Sequence, residues 1–322
     1  MSDLIFGKPS KYSLHVELTS RCILECPACA RTIWKDLVKS PVAKSDLDLA
    51  AFVDFVDCEG GRELKRFACC GDYGDPIYYP YLFEFIEKFR DSKRFIIHTN
   101  GSKKSKDFWH RLSSLMHKDD YMVFAIDGLE DTNHIYRINS DWPSIMTGLD
   151  IMAASPATVM WKTIVFDYNY KQLHEIKKFA ESKGAMFQAE RTHRYGKDSL
   201  KPPEQYIETN FLYQPEHSNP DNRILIAPQC TTERTITSDG YLFPCDWIRN
   251  PRTLYRSDLW KQHSRWLEKL NIRNTNYDEA TKVVADWANF VRENSVQGHV
   301  VPDLCKMKCR EGCVANTVIE EI

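Results

Sequence analysis

Three cysteines, Cys22, Cys26 and Cys29, are spaced C-x3-C-x2-C and directly follow a short apolar-alternating stretch, His15-Val16-Glu17-Leu18-Thr19. An iron–sulfur cube normally takes four cysteine ligands. Three thiolates on one loop hold three of its corners and leave one iron open, as catalytic metal sites keep a position for water or substrate. Two blander readings share the pattern. One is a zinc knuckle, usually built on C-x2-C pairs with a second pair or histidines nearby; the other is three unconnected buried thiols. No histidine lies within ten residues after Cys29, which weighs against zinc.

A second group stands toward the C-terminus. Cys230 and Cys245 span C-x9-G-x4-C, with Gly240 in an expected hairpin turn, Ser238-Asp239-Gly240-Tyr241, and Cys305, Cys309 and Cys313 follow as C-x3-C-x3-C. Four thiolates suit structural zinc as well as a cluster, and spacing does not say which four of the five would ligate. Asp246 follows Cys245 directly, where a carboxylate can partner a backbone amide or an arginine. Cys58, Cys69 and Cys70 read as buried core thiols.

The elements that must position these groups alternate β-rich and helical stretches from about residue 14 to 192. Strands are expected at His15–Thr19, Phe67–Cys70, Arg94–Thr99, Tyr121–Ile126, Val159–Phe166 and Met186–Arg191. Between them apolar residues recur at helical spacing: Leu49, Phe52, Val53 and Val56 behind a Ser45 cap; Leu82, Phe85, Ile86 and Phe89; Phe108, Trp109, Leu112 and Leu115; Leu173, Ile176 and Ala180, stopped by Gly184. Repeated strand–helix units imply parallel strands, and in parallel barrels chemistry collects at the strands' carboxyl ends. The first exit carries the three cysteines. The second carries Gly71-Asp72-Tyr73-Gly74-Asp75-Pro76, a glycine-containing turn that lets backbone approach a ligand. The third ends in Asn100-Gly101, which also reads as an ordinary turn. The fourth ends in Asp127-Gly128 and is followed by Asn133-His134-Ile135-Tyr136-Arg137.

On these motifs the chain resembles the radical S-adenosylmethionine (radical SAM) superfamily. The resemblance implies an α/β fold, a partial (β/α)6 TIM-like barrel. It also implies a [4Fe–4S] cluster on Cys22, Cys26 and Cys29 whose open iron chelates S-adenosyl-L-methionine. Gly71 to Asp75 resemble the family's glycine-rich turn at the methionyl amino group. Asn100 would reach ribose or carboxylate; Asp127-Gly128 and Tyr136-Arg137 resemble two motifs of the family, by which Arg137 would meet the S-adenosylmethionine carboxylate, a task suited to a guanidinium fork. Where the family usually has an aromatic residue near the adenine, this chain has Ala28. The second cysteine group resembles the auxiliary-cluster extension of the SPASM and twitch subfamilies. Five cysteines are too few for two cubanes, so one auxiliary [4Fe–4S] cluster is implied, with Asp246 similar to a general base of alcohol oxidation. Expected domains are residues 1–200 as the barrel, 201–225 as a proline-marked connector and 226–322 as the auxiliary domain.

Bulk properties narrow the partners. A chain of 322 residues with 43% hydrophobic content can bury a large core. A net charge of −2 gives no basic footprint for nucleic acid. No apolar run approaches the roughly eighteen residues of a membrane span, and the N-terminus is too polar for a secretory signal. Eleven cysteines, several in close groups, point to metal in a cytoplasmic protein rather than to disulfides. The activity that the resemblance implies is hydrogen-atom abstraction from a small molecule (a sugar, cyclitol or nucleoside) or a peptide. Two-electron oxidation leads, with a flavodoxin- or ferredoxin-type electron donor. Redox-neutral epimerisation or carbon–carbon or thioether bond formation is the runner-up, and a non-catalytic metal-binding scaffold the rival from another class. With 21 residues before Cys22, no peptide-recognition domain is expected ahead of the loop, which favours a small molecule or else a peptide delivered by a separate protein.

Overall fold

The structure, a computed structural model, describes residues 12–34, 45–71, 73–190, 192, 200–204, 234–243 and 266–294. Its strands are β1 (Ser13–Val16), β2 (Arg66–Cys69), β3 (Arg94–Thr99), β4 (Tyr121–Ala125), β5 (Thr158–Ile164), β6 (Met186–Glu190), β7 (Thr235–Ile236) and β8 (Leu242–Phe243). The α-helices are α1 (Ala30–Trp34), α2 (Leu49–Val56), α3 (Glu59–Glu63), α4 (Leu82–Phe89), α5 (Lys106–Leu115), α6 (Asn133–Tyr136), α7 (Trp142–Ala153), α8 (Asp167–Tyr170), α9 (Leu173–Ser182) and α10 (Tyr277–Asn294). This is an α/β fold with mostly parallel strands, and all six strands expected from the sequence are present. Compactness divides the chain into two units: Met1–Ser20, Asp36–Gly71 and Pro215–Val314 form one, and Arg21–Lys35, Asp72–Gln214 and Ala315–Ile322 the other.

In the first unit β1 pairs in parallel with β2 on one side and β7 on the other, and β7 pairs antiparallel with β8. The hairpin falls where its sequence placed it, with Gly240 at φ +90° in a conformation that side chains resist. Helix α2 starts one turn later than its serine suggested. Asp48 is the cap, accepting from the Ala51 N–H at 3.1 Å, while the Ser45 hydroxyl bonds that of Ser238 at 2.6 Å. Phe52 packs edge-on against Phe67 of β2, and Phe55 against Tyr277 of α10.

The second unit holds β3, β4, β5 and β6 in that order, all parallel. Because side chains alternate along a strand, one face carries Phe124 and Trp161, both fully buried. Trp109 of α5, Trp142 of α7 and Phe179 of α9 cover that face, with ring centroids 5.5–6.0 Å from Phe124 or Trp161. Helix α7 comes close because position 148 is glycine: a Cβ there would lie 2.4 Å from the Trp109 ring. On the alternate positions, Ala125, Lys162 and Gln188 stand in register across β4, β5 and β6 and are only half-buried. Lys162 pairs with Glu190 at 2.8 Å, and Gln188 donates to the same carboxylate at 2.9 Å.

Candidate cofactor site

The cysteine loop lies within the second unit. Leu24 and Cys26 are buried with Tyr136, Phe166 and Leu200, and Cys22, Ala28 and Cys29 pack partly buried against this cluster. The loop is pinned by backbone: Cys29 N–H donates to Cys26 O at 3.0 Å, Glu25 N–H to Ile138 O at 3.1 Å, and Asp75 N–H to Arg21 O at 2.8 Å. The Arg31 guanidinium donates to Leu24 O. The described cysteines form no disulfide. Burial, then the neighbouring Asp75 charge, pushes the Cys22 thiol up to about 12. A metal would therefore have to displace its proton on binding.

Three thiols on one buttressed loop are a donor set that fits a cubane, whose ligands sit on separate irons. Among the described residues no three His, Cys, Asp or Glu side chains converge as the ligands of a single ion would.

The exits of the second and third strands meet at this loop. Asp75 is buried and caps the short 3-10 turn Pro76–Tyr78, its Oδ1 accepting from the Ile77 N–H at 3.1 Å. Its Oδ2 accepts from the Asn100 N–H at 2.7 Å, from the Thr99 hydroxyl at 3.0 Å and from the Asn100 side-chain amide. Burial raises the Asp75 carboxyl to about 6, partly offset by these donors. Asn100 Nδ2 also lies 3.6 Å from Cys22 Sγ, and its Oδ1 accepts from the Ser102 N–H at 3.0 Å. Gly101 takes φ +73° in the turn that follows.

The fourth exit is a closed polar knot. Asp127 is fully buried; its Oδ1 accepts from the Ile164 N–H at 2.6 Å and its Oδ2 from Arg137 Nε at 2.6 Å. Its carbonyl accepts from Asn169 Nδ2 at 2.8 Å and from the Tyr168 hydroxyl at 3.1 Å. Burial works against the Arg137 charge, but Asp127 outweighs it and strengthens the hold on the proton. Asp127 thus ties β4 to β5 and orients Arg137.

Of the sequence-predicted residues, Cys22, Cys26, Cys29, Ala28, Asp75 and Asn100 gather on and around one loop. Asp127 and Arg137 pair with each other. Gly71 is half-buried just after β2, Tyr73 is buried and Gly74 half-buried. Asp72, Cys230, Cys245, Asp246, Cys305, Cys309 and Cys313 lie outside the described residues. Cys69 is a buried core thiol as expected, whereas Cys58 and Cys70 are only half-buried. Sequence reasoning missed Asn169 and the Lys162–Glu190 pair. The latter had a signal: a lysine and a glutamate inside otherwise apolar strands, which are rarely buried unless paired.

No family model matches the chain. A curated relative, the tungsten-containing aldehyde ferredoxin oxidoreductase cofactor-modifying protein of Pyrococcus furiosus, is 23% identical over 180 residues, covering 52% of this chain and 47% of the relative. The chain thus spans about half the length of that relative. Among solved structures, Streptococcus suis SuiB bound to S-adenosylmethionine superposes with a TM-score of 0.55 at 12% identity, over 75% of this chain and 61% of SuiB. SuiB bound to its precursor peptide SuiA gives 0.52 at 13% identity, over 74% and 60%. The chain shares the fold of SuiB.

Proposed function

We propose that the protein is a radical S-adenosylmethionine enzyme. The observation that carries the reading is the loop of Cys22, Cys26 and Cys29, buttressed by the second- and third-strand exits through Asp75 and Asn100. The three thiolates would hold a [4Fe–4S] cluster that, with bound S-adenosylmethionine, supplies a 5′-deoxyadenosyl radical. The chain's own part is orientation and exclusion of side reactions. The Cys26 side of the loop is sealed against Tyr136, Phe166 and Leu200, and Arg137 is held charged and aimed by Asp127. Its guanidinium carries further N–H donors beyond Nε, a suitable partner for a substrate or cofactor carboxylate. Support comes from the shared fold of SuiB, which has been captured with S-adenosylmethionine.

The reaction we assign is removal of a hydrogen atom from an unreactive carbon, followed by loss of a second electron to an auxiliary cluster. That cluster would be held by four of Cys230, Cys245, Cys305, Cys309 and Cys313, with Asp246 as the base. The spacing of those residues is its support. A peptide substrate is favoured over a small molecule by one observation, the SuiA peptide bound to SuiB. Epimerisation and bond formation differ from oxidation in product mass and in deuterium uptake from solvent.

The test is anaerobic reconstitution, iron and sulfide counting, and reduction with S-adenosylmethionine. About four irons per chain signify one cubane and about eight signify two. Release of 5′-deoxyadenosine supports the reading, and its loss in Cys26→Ala locates the site. Well-loaded protein that leaves S-adenosylmethionine intact, with candidate peptides present, would overturn it.

A further inference from the structure

Asn100 sits at the end of β3, buried, 78 residues along the chain from the cysteine it touches. Its amide cannot turn around. Oδ1 receives the Ser102 N–H, and Nδ2 faces the Asp75 carboxylate; a flipped amide would set oxygen against carboxylate and NH2 against an N–H donor. The two hydrogens of Nδ2 are thereby divided, one to Asp75 Oδ2 and one to Cys22 Sγ at 3.6 Å. Asp75 is itself fixed by the donors from Ile77, Thr99 and the Asn100 backbone and by its own N–H bond to Arg21 O, next door to Cys22. Such a constellation orders no surface loop. It aims one N–H at one sulfur.

Hydrogen bonds to cysteine sulfurs are among the levers that set the potential of an iron–sulfur cluster. An N–H donor draws charge from the sulfur and favours the more negatively charged, reduced cluster. We propose that Asn100, oriented by Asp75, is a positioning residue that donates a hydrogen bond to the Cys22 sulfur and raises the reduction potential of the cluster held on this loop. The assignment rests on the cluster reading above and explains a buried amide whose polar atoms are all turned toward the protein. It places Asn100 at the cluster rather than at a ribose.

The test is an EPR-monitored redox titration of reconstituted protein. Asn100→Leu, similar in size and without a donor, is expected to lower the midpoint potential at unchanged iron and sulfide content. Thr99→Val removes the hydroxyl bond to the same Asp75 oxygen and the acceptor of the Gly101 N–H without touching the sulfur, and is expected to leave the potential in place while lowering the melting temperature. An Asn100→Leu potential equal to the wild-type value, or equal shifts in both variants, overturns the proposal. A readout on unmutated protein guards against an Asn100→Leu chain that does not fold. With 15N-labelled asparagine, the reduced cluster should show a coupled side-chain nitrogen and an exchangeable proton by ENDOR; their absence likewise overturns the proposal. Failure of wild-type protein to assemble any cluster would instead be a failure of the functional reading.

Discussion

Replacing Asp127 by asparagine should destabilise the second unit far more than its chemical modesty suggests. The carboxylate is fully buried and its partner Arg137 is 14% exposed in its side chain. Asparagine keeps an oxygen for the Ile164 N–H, so that bond survives. The other oxygen becomes an NH2 facing Arg137 Nε, a donor against a donor, and leaves a buried guanidinium without its counter-charge. Breaking one side of a buried pair costs about 3–5 kcal/mol. Asp127→Ala also strands the Ile164 N–H, a further loss of about 1–3 kcal/mol. The assay is anaerobic urea unfolding followed by tryptophan fluorescence, since Trp109 and Trp161 are both wholly buried in this unit. Removing the guanidinium as well, as in Asp127→Asn with Arg137→Met, should recover most of the Asp127→Asn loss, because the Ile164 N–H keeps its acceptor and no unpaired charge is left behind. If the proposed function holds, the double variant should nevertheless bind S-adenosylmethionine poorly, since it lacks the Arg137 guanidinium. An Asp127→Asn protein within about 1 kcal/mol of wild type, or a double variant as unstable as the sum of the singles, would refute the pairing argument.

Other consequences are simpler. Gly148→Ala should lose about 1–3 kcal/mol by thermal melting, since the added Cβ would lie 2.4 Å from the Trp109 ring; no loss would mean α7 shifts freely. Gly101→Ala should cost about 1–2 kcal/mol by the same measurement, because φ is +73° and a Cβ would press on Phe124 at 3.0 Å. Asp48→Ala should lose about 1 kcal/mol at neutral pH through the missing cap of α2. The Ala51 N–H, and after it Arg273 at 3.1 Å, hold the Asp48 carboxyl below its ordinary value. A depressed carboxyl contributes stability above its unfolded pKa of about 3.9 and loses it as pH falls through the lower folded value. The gap between wild type and Asp48→Ala should therefore narrow in acid, and a gap that widened would contradict the cap.

Where local chemistry decides an element, the sequence was readable. Strand β3 falls on Arg94–Thr99, the β-rich run expected, and helix α9 stops before Gly184, which takes φ +76°. The start of α2 was less so. Ser45 and Asp48 are both good caps, and the choice turned on Ser238, a residue 193 positions away that engages the Ser45 hydroxyl. The parallel pairing of β7 with β1 had no local signature either, since two residues of strand carry little periodicity. Register and crossing contacts belong to the tertiary structure.

The candidate site divides along the same line. The cysteine spacing was legible because three ligands on one loop must be close in sequence. Asp75, Asn100, Asp127 and Arg137 were legible as residues at strand exits, where ligands gather. Apart from the local Asp127–Arg137 pair, their partners were not, because these contacts join different exits: Asp75 to Asn100 across 25 positions, Asn100 to Cys22 across 78, Asp127 to Ile164 across 37. The side chains that pattern alone would offer to a cofactor are largely spent on one another. This mutual use has a physical reason. A buried carboxylate or amide left without a partner would cost kilocalories, whereas one that is satisfied internally can hold a neighbouring group at a fixed angle. The Asp75 and Asp127 carboxylates therefore act through what they orient, an amide at Cys22 and a guanidinium at Arg137. Substitutions at the carboxylates should be felt first in stability and only then in chemistry.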